Sequence, residues 1–235
     1  MISGLQKMTL LDYPGKVACT VFLQGCNFRC PFCHNSDLLG KDGPEPIAPE
    51  TLMAFLKKRA GLLDAVCVTG GEPTLQPELE DLLTQIKALG YLVKLDTNGS
   101  RPHVLKALVE KELVDYVAMD IKNCPQRYGE TAGVPNMTLT HLEESIRFLL
   151  TGPVDYEFRT TVAEELHDET AMEEIGKWLT QLDPEHKAEK IFLQPYVDRQ
   201  SVLAPGLHTP AKERLLKMAE ALTPFAERVQ IRAMD

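Results

Sequence analysis

"QGCNFRCPFCHN" (24–35) places Cys26, Cys30 and Cys33 within eight residues, spaced C-x-x-x-C-x-x-C, and follows them with His34. Three readings share that signature: a disulfide staple, a zinc site short of its fourth ligand, and an iron–sulfur cluster with one corner left open. Structural zinc wants four closed ligands, usually as two separated pairs, and no distant Cys or His pair completes this triplet. A four-iron cluster held by only three thiolates keeps an open coordination position on its fourth iron, where a substrate's own donors could bind.

The rest of the chain bears on the choice. A chain of 235 residues buries roughly 70 to 75% of its unfolded surface, so it needs neither disulfides nor metal to build a core. A metal at the triplet would therefore be functional. Cys19, Cys67 and Cys124 stand singly in apolar stretches and read as small buried hydrophobes. In a reducing compartment a compact cysteine cluster reads as metal-binding or catalytic.

The formal charge is −9, from 34 acidic against 25 basic residues, with no Lys or Arg run that could track phosphates. Nucleic acid is not an expected partner. The opening "MISGLQKMTLLDYPGK" lacks the basic segment and apolar core of a signal peptide, and no run of about 18 apolar residues occurs. The expectation is a cytoplasmic protein with no membrane partner.

Short β-branched runs alternate with segments of helical period. Strands are expected at 16–24, 65–70, 92–98, 116–122, 155–162 and 190–196, near-continuous in hydrophobicity as in a parallel sheet covered on both faces. Helices are expected at about 50–60, 77–90, 102–112, 139–150, 170–181 and 210–222, the second carrying Leu79, Leu82, Leu83, Ile86 and Leu89 on one face. A last strand is expected at 228–233. Successive β/α units imply one parallel sheet with right-handed crossovers, either doubly wound or a complete or partial barrel. No repeat or dividing linker is present; "GKDGPEPIAPE" (40–50) reads as a surface connection. A single domain over 1–235 is expected, its core about 16–200 and its C-terminal helix and last strand within 205–235.

In such folds functional residues gather at the C-terminal ends of the strands. Here those ends carry the cysteine loop, "TGGEP" (69–73), "DTNG" (96–99), "MDIK" (119–122), Arg159 and "QPY" (194–196). Each has a plainer explanation. "TGGEP" could be a tight strand-to-helix turn, and "DTNG" an Asn-Gly turn, although a helix follows it where a hairpin would need a strand. Asp120 and Lys122, two apart on a strand, share a side, and Arg159 at mid-strand needs an anion partner. Six anomalies at six strand ends point to one cavity.

"CNFRCPFC" resembles the C-x-x-x-C-x-Φ-C motif of the radical S-adenosylmethionine enzymes, and "GCNFRCPFCHN", "TGGEP", "DTNG" and "MDIK" resemble the glycyl-radical-enzyme activases within that superfamily. The opening "GLQKMTLLDYPGKVACTVFLQGCNFRCPFCHNSDLL" looks most like the longer type of anaerobic ribonucleoside-triphosphate reductase activating protein. The resemblance runs from about residue 3 to 200. It implies an α/β fold, a partial TIM-like barrel of six β/α units.

What the resemblance implies can be carried over residue by residue. Cys26, Cys30 and Cys33 would each bind one iron of a 4Fe-4S cluster, and S-adenosylmethionine would chelate the open iron. Gly70, Gly71 and Glu72 match the motif holding the amino end of that cofactor. Asp96, Thr97, Asn98, Asp120 and Lys122 match positions lining its methionine and ribose, and a monovalent cation near Asp96 and Asp120 is implied. Arg159 and Gln194 match positions near the ribose and adenine, and Phe32 would flank the adenine. His34 is expected to leave the fourth iron open. No residue beyond the cluster and cofactor is expected to be catalytic.

The implied reaction is reductive cleavage of S-adenosylmethionine to a 5′-deoxyadenosyl radical, which abstracts hydrogen from a backbone glycine of a partner enzyme. That partner would be the large subunit of anaerobic ribonucleotide reductase, with a flavodoxin or ferredoxin as the one-electron donor. Two alternatives keep the chemistry: activation of another glycyl-radical enzyme of the pyruvate formate-lyase type, or a small-molecule substrate such as a pterin. A non-enzymatic zinc module would leave "TGGEP", "DTNG" and "MDIK" unexplained.

Overall fold

The apolar runs read from the sequence become the strands β2 (Ala18–Leu23), β3 (Ala65–Gly70), β4 (Leu92–Thr97), β5 (Tyr116–Asp120), β6 (Asp155–Val162) and β7 (Ala188–Pro195) of a computed structural model that describes residues 1–40, 45–199 and 202–232. Two further strands flank them, β1 (Ile2–Thr9) and β8 (Ala226–Ile231). The sheet order follows the chain from β1 to β8 and does not close. It is an α/β sheet, parallel from β2 to β4 and from β6 to β8 and antiparallel at β1. The helices are α1 (Pro49–Arg59), α2 (Leu79–Ala88), α3 (Pro102–Glu110), the short α4 (Tyr128–Thr131), α5 (Thr140–Leu150), α6 (Glu169–Leu182) and α7 (Lys212–Leu222).

β1 is the element the sequence did not announce. It pairs antiparallel with β2 through two register shifts, between Ile2 and Gly4 and between Gln6 and Thr9. Those irregularities break the two-residue alternation that marks a strand. The expected last strand is present two residues earlier than read. Residues 41–44 of the proline- and glycine-rich connection, and the last three residues of the chain, lie outside the described residues.

The chain divides into two compact units that alternate along the sequence. One comprises Met1–Asn27, Asn35–Thr97 and Arg101–Ala118; the other comprises Phe28–His34, Asn98–Ser100 and Met119–Asp235. In the first, β2 and β3 run in parallel register from Ala18 opposite Ala65 to Leu23 opposite Gly70. Tyr13, Ala18, Ala65, Cys67 and Tyr116 form one buried cluster, with Tyr13 and Tyr116 rings 5.7 Å apart. α2 buries Leu79, Leu82, Leu83 and Ile86 of the stripe read from the sequence, and Leu89, at its C-cap, is half-buried. Each such side chain contributes about 1.5 to 3 kcal/mol through the apolar area it removes from water.

In the second unit, β6, β7 and β8 run parallel, with Phe158 opposite Ile191 and Ile191 opposite Val229. α6 begins at Asp168, whose side chain accepts from the Ala171 N–H at 2.7 Å, an N-cap that satisfies one of the orphan donors of the first turn. Trp178 is buried edge-on against Tyr128, ring centroids 5.9 Å apart. After β8, Arg232 pairs with the fully buried Glu157 and lies 4.5 Å over the Phe192 ring, which fastens the last strand to its neighbours. Among the described residues no helix is long and apolar enough to cross a membrane.

Candidate functional site

Within the first unit the chain beyond β2 is stitched to the chain beyond β3. Gly71 N–H donates to Leu23 O at 2.9 Å and Glu72 N–H to Gly25 O at 2.7 Å. The Asn35 amide donates to Gly70 O at 3.1 Å, and the Gln76 amide to Gln24 O at 2.6 Å. Gly70 adopts a φ of +127°, and a Cβ there would stand 2.2 Å from Leu23 O. A Cβ on Gly71 would stand 2.1 Å from Gly25 O and 3.2 Å from Cys26 Cβ. The two glycines are thus required by the close passage of backbone over the residues leading into the cysteine loop.

Glu72 is 1% exposed and has its orientation set by three donors on one oxygen. The Thr74 N–H reaches Oε1 at 3.1 Å, the Thr74 hydroxyl at 2.5 Å and the Thr97 hydroxyl at 2.8 Å. On β4, Asp96 pairs with Lys94, which lies two residues before it on the same strand face. Lys94 was not singled out from the sequence. Its signal was the one that drew attention to Arg159: a charge inside an apolar strand.

The second unit holds the rest of the cysteine loop. The Arg29 N–H donates to Ala132 O at 2.9 Å, the Cys33 N–H to Cys30 O at 3.0 Å, and the Ala204 N–H to Pro31 O at 3.0 Å. Cys30 is buried and its Sγ lies 3.8 Å from Ala132 O; Cys26 and Cys33 are partly exposed. His34 Nε2 donates to Val197 O at 2.7 Å and its ring stacks on Tyr196 at 5.8 Å. Burial lowers the His34 pKa, against an opposing pull from the Val197 carbonyl.

Asp120 and Lys122 meet as their two-residue spacing suggested, although β5 ends at Asp120, and Arg159 joins them. Lys122 Nζ lies 2.9 Å from Asp120 Oδ2, and Arg159 Nε lies 3.0 Å from Asp120 Oδ1, which supplies the anion partner Arg159 required. Lys122 also stands 5.7 Å from the centroid of the buried Phe32 ring. Burial works to lower the Lys122 pKa, and the charges of Asp120 and Cys30 outweigh it and hold the ammonium on. Burial pushes the Cys30 thiol up, with Lys122 opposing; coordination to a metal would deprotonate such a thiol outright.

Asn98 is buried and accepts from the Ser100 N–H at 3.0 Å, so it turns the chain into α3. Gln194 lies in β7 in register with Thr161. His167, unremarked in the sequence, is 1% exposed. Its Nδ1 accepts from the Ala163 N–H at 3.2 Å, so Nε2 carries the hydrogen and donates to Lys122 O at 2.9 Å. Its ring also lies 6.4 Å from that of Phe32. Cys19, Cys67 and Cys124 are buried, as their apolar surroundings suggested, and burial pushes the Cys19 thiol up to about 11.

The Radical SAM superfamily sequence model matches residues 20–168, and the chain belongs to that superfamily of enzymes. A protein of Methanocaldococcus jannaschii named a glycyl-radical enzyme activating enzyme is 32% identical over 193 residues, covering 78% of this chain and 77% of its own. A 7-carboxy-7-deazaguanine synthase of Koribacter versatilis is 32% identical over 150 residues, covering 63% and 62%. Among solved structures, a domain of a pyruvate-formate lyase-activating enzyme from Bacteroides vulgatus superposes with a TM-score of 0.58 at 24% identity, over 72% of this chain and 99% of that one. Streptococcus suis SuiB gives 0.69 at 12% identity over 92% of this chain, which spans 48% of that longer protein. Both structures share the fold.

Membership implies a 4Fe-4S cluster and S-adenosylmethionine, and the residues present suit both. Three soft thiolate donors stand in one short loop. Among the described residues no three His, Cys, Asp or Glu side chains converge as they would on one ion. The buried Glu72 carboxylate, oriented by Thr74 and Thr97, suits a ligand carrying an ammonium group.

Proposed function

We propose that this protein activates a glycyl-radical enzyme, and that its partner is the large subunit of anaerobic ribonucleoside-triphosphate reductase. The observation that carries the activase reading is the 32% identity, over 78% of the chain, to a relative named for that activity. The partner rests on the opening 36 residues or so, from "GLQKMTLLDYPGK" through the cysteine loop, whose wording resembles the longer type of reductase activating protein. A flavodoxin or ferredoxin would supply the electron, and one radical SAM domain would span 1–235.

On this reading Cys26, Cys30 and Cys33 would hold the cluster, and Glu72, following Gly70 and Gly71 and aimed by Thr74 and Thr97, would receive the ammonium of S-adenosylmethionine. Asp96, Asn98, Asp120, Lys122, Arg159 and Gln194 face its methionine, ribose and adenine, with Phe32 against the adenine. The bound groups supply an electron and a 5′-deoxyadenosyl radical for hydrogen abstraction. The protein's own share is orientation and the exclusion of water and stray hydrogen donors. His34, engaged with Val197 O, is turned to holding the loop.

A second reading keeps the cleavage and takes a small molecule as substrate, favoured by the relative named 7-carboxy-7-deazaguanine synthase. Protein purified without oxygen and reconstituted with iron and sulfide is mixed with dithionite and S-adenosylmethionine, alone and with the coexpressed reductase. The proposal expects 5′-deoxyadenosine in both and a glycyl-radical electron paramagnetic resonance signal in the second. Cleavage with no such signal on the reductase, but with one on pyruvate formate-lyase, reassigns the partner. Cleavage with a signal on neither favours the small-molecule reading, and colourless zinc protein without cleavage sinks both.

A further inference from the structure

A monovalent cation near Asp96 and Asp120 was implied by the resemblance, and the groups already standing on those carboxylates do not fit it. Lys94 is 1% exposed within β4, and its Nζ meets Asp96 Oδ1. In the other unit Asp120 is engaged through both oxygens, Oδ2 by Lys122 Nζ at 2.9 Å and Oδ1 by Arg159 Nε at 3.0 Å. Each carboxylate that would ligate the ion therefore already carries a protein cation. A metal cation placed against them would share a carboxylate with an ammonium or a guanidinium, and like charges on one partly buried carboxylate repel.

Lys94 has little room to yield. A buried ammonium is tolerated when it is paired, and separating it from its carboxylate would strand both charges. β4 is bonded to β3, where Cys67 lies opposite Lys94. The side chain that elsewhere in such a strand would be apolar is here a charge sited two residues from its partner, on the same face.

Resting on the radical reading above, we infer that Lys94 takes the place of the cation: its ammonium is the built-in counter-charge of Asp96, and the protein works without a monovalent metal ion. Removing the ammonium then opens a site that potassium can fill, so the Lys94→Met variant acquires a potassium dependence the native protein lacks.

The test uses the potassium ion itself. The melting temperature of the full-length apoprotein is followed as KCl replaces choline chloride at constant ionic strength, for the native chain and for Lys94→Met. The native curve stays flat; Lys94→Met melts lower and regains stability saturably with potassium. In the same salts, the native reconstituted protein cleaves S-adenosylmethionine at one rate within about twofold, while Lys94→Met is slowed about tenfold in choline and recovers in potassium, the scale of a one-unit pKa perturbation.

Saturable stabilisation of the native apoprotein by potassium, or loss of native cleavage in choline, overturns the inference. So does a folded Lys94→Met protein indifferent to potassium. If Lys94→Met does not fold, the native measurements decide alone. The apoprotein titration needs neither cluster nor cofactor, so a native protein that cleaves nothing in any salt counts against the radical reading, and the potassium titration still decides the role of Lys94.

Discussion

Thr97 donates its hydroxyl to Glu72 Oε1 at 2.8 Å, so the last residue of β4 aims the carboxylate that follows β3. Thr97→Val replaces that hydroxyl with a methyl group of similar size. A hydrogen bond to a charged acceptor contributes about 1.5 to 3 kcal/mol, so S-adenosylmethionine should bind roughly 10- to 100-fold more weakly while the cluster still loads. Titration of the cofactor into reconstituted protein reads this directly; an unchanged affinity would show that Glu72 does not meet the ligand.

Cys30 and Cys67 are both buried, and they should behave oppositely. Cys30→Ala should abolish the brown iron–sulfur absorbance and cofactor cleavage while the apoprotein keeps its circular dichroism and melting temperature. Cys67→Ala should keep both activities and lose about 1 kcal/mol of stability to a small cavity. Unfolding of Cys30→Ala would point to a structural metal.

Gly71→Ala tests the backbone crossing. Its new methyl would start 2.1 Å from Gly25 O, a backbone atom held by the Glu72 N–H. Relieving that overlap should cost about 3 kcal/mol and weaken both cluster and cofactor binding. A variant as stable as the native protein, by urea denaturation, would show that the crossing is looser than drawn.

His167 gives the apoprotein a pH signature. Burial, opposed by its donation to Lys122 O, depresses its folded pKa below the usual value of about 6.5. A depressed folded pKa means that the contribution is complete above about 6.5 and fades as acidification carries the pH down through the folded value. Native apoprotein should therefore lose melting temperature between about pH 7 and pH 5 more steeply than His167→Asn. Parallel curves for the two proteins would exclude His167 as the source.

What could be read from the sequence, and what could not, divides along the range of the interactions. Local periodicity marked β2 through β7, because strands buried on both faces carry uninterrupted apolar runs and α2 carries a clean stripe. β1 was missed because two register shifts scramble its alternation. The association of Asp120 with Arg159 was half legible: a mid-strand arginine demands an anion, but which carboxylate answers is a property of strand neighbours 39 residues apart. Lys94 and His167 went unremarked for different reasons. Lys94 was legible as a charge inside an apolar strand, two residues from Asp96, whereas His167 acts through Lys122 O, 45 residues away, which composition does not show.

β2 carries ladder bonds on both sides, antiparallel to β1 and parallel to β3, right up to the residue before Gln24. The strand that feeds the cysteine loop is thus held on both sides, as segments that open last are. Amides of Val21 and Leu23 should exchange slowly with solvent whether or not iron is bound. Loss of the metal to oxygen would then be a local and reversible event, leaving a folded apoprotein that can be refilled before proteases find an unfolded chain.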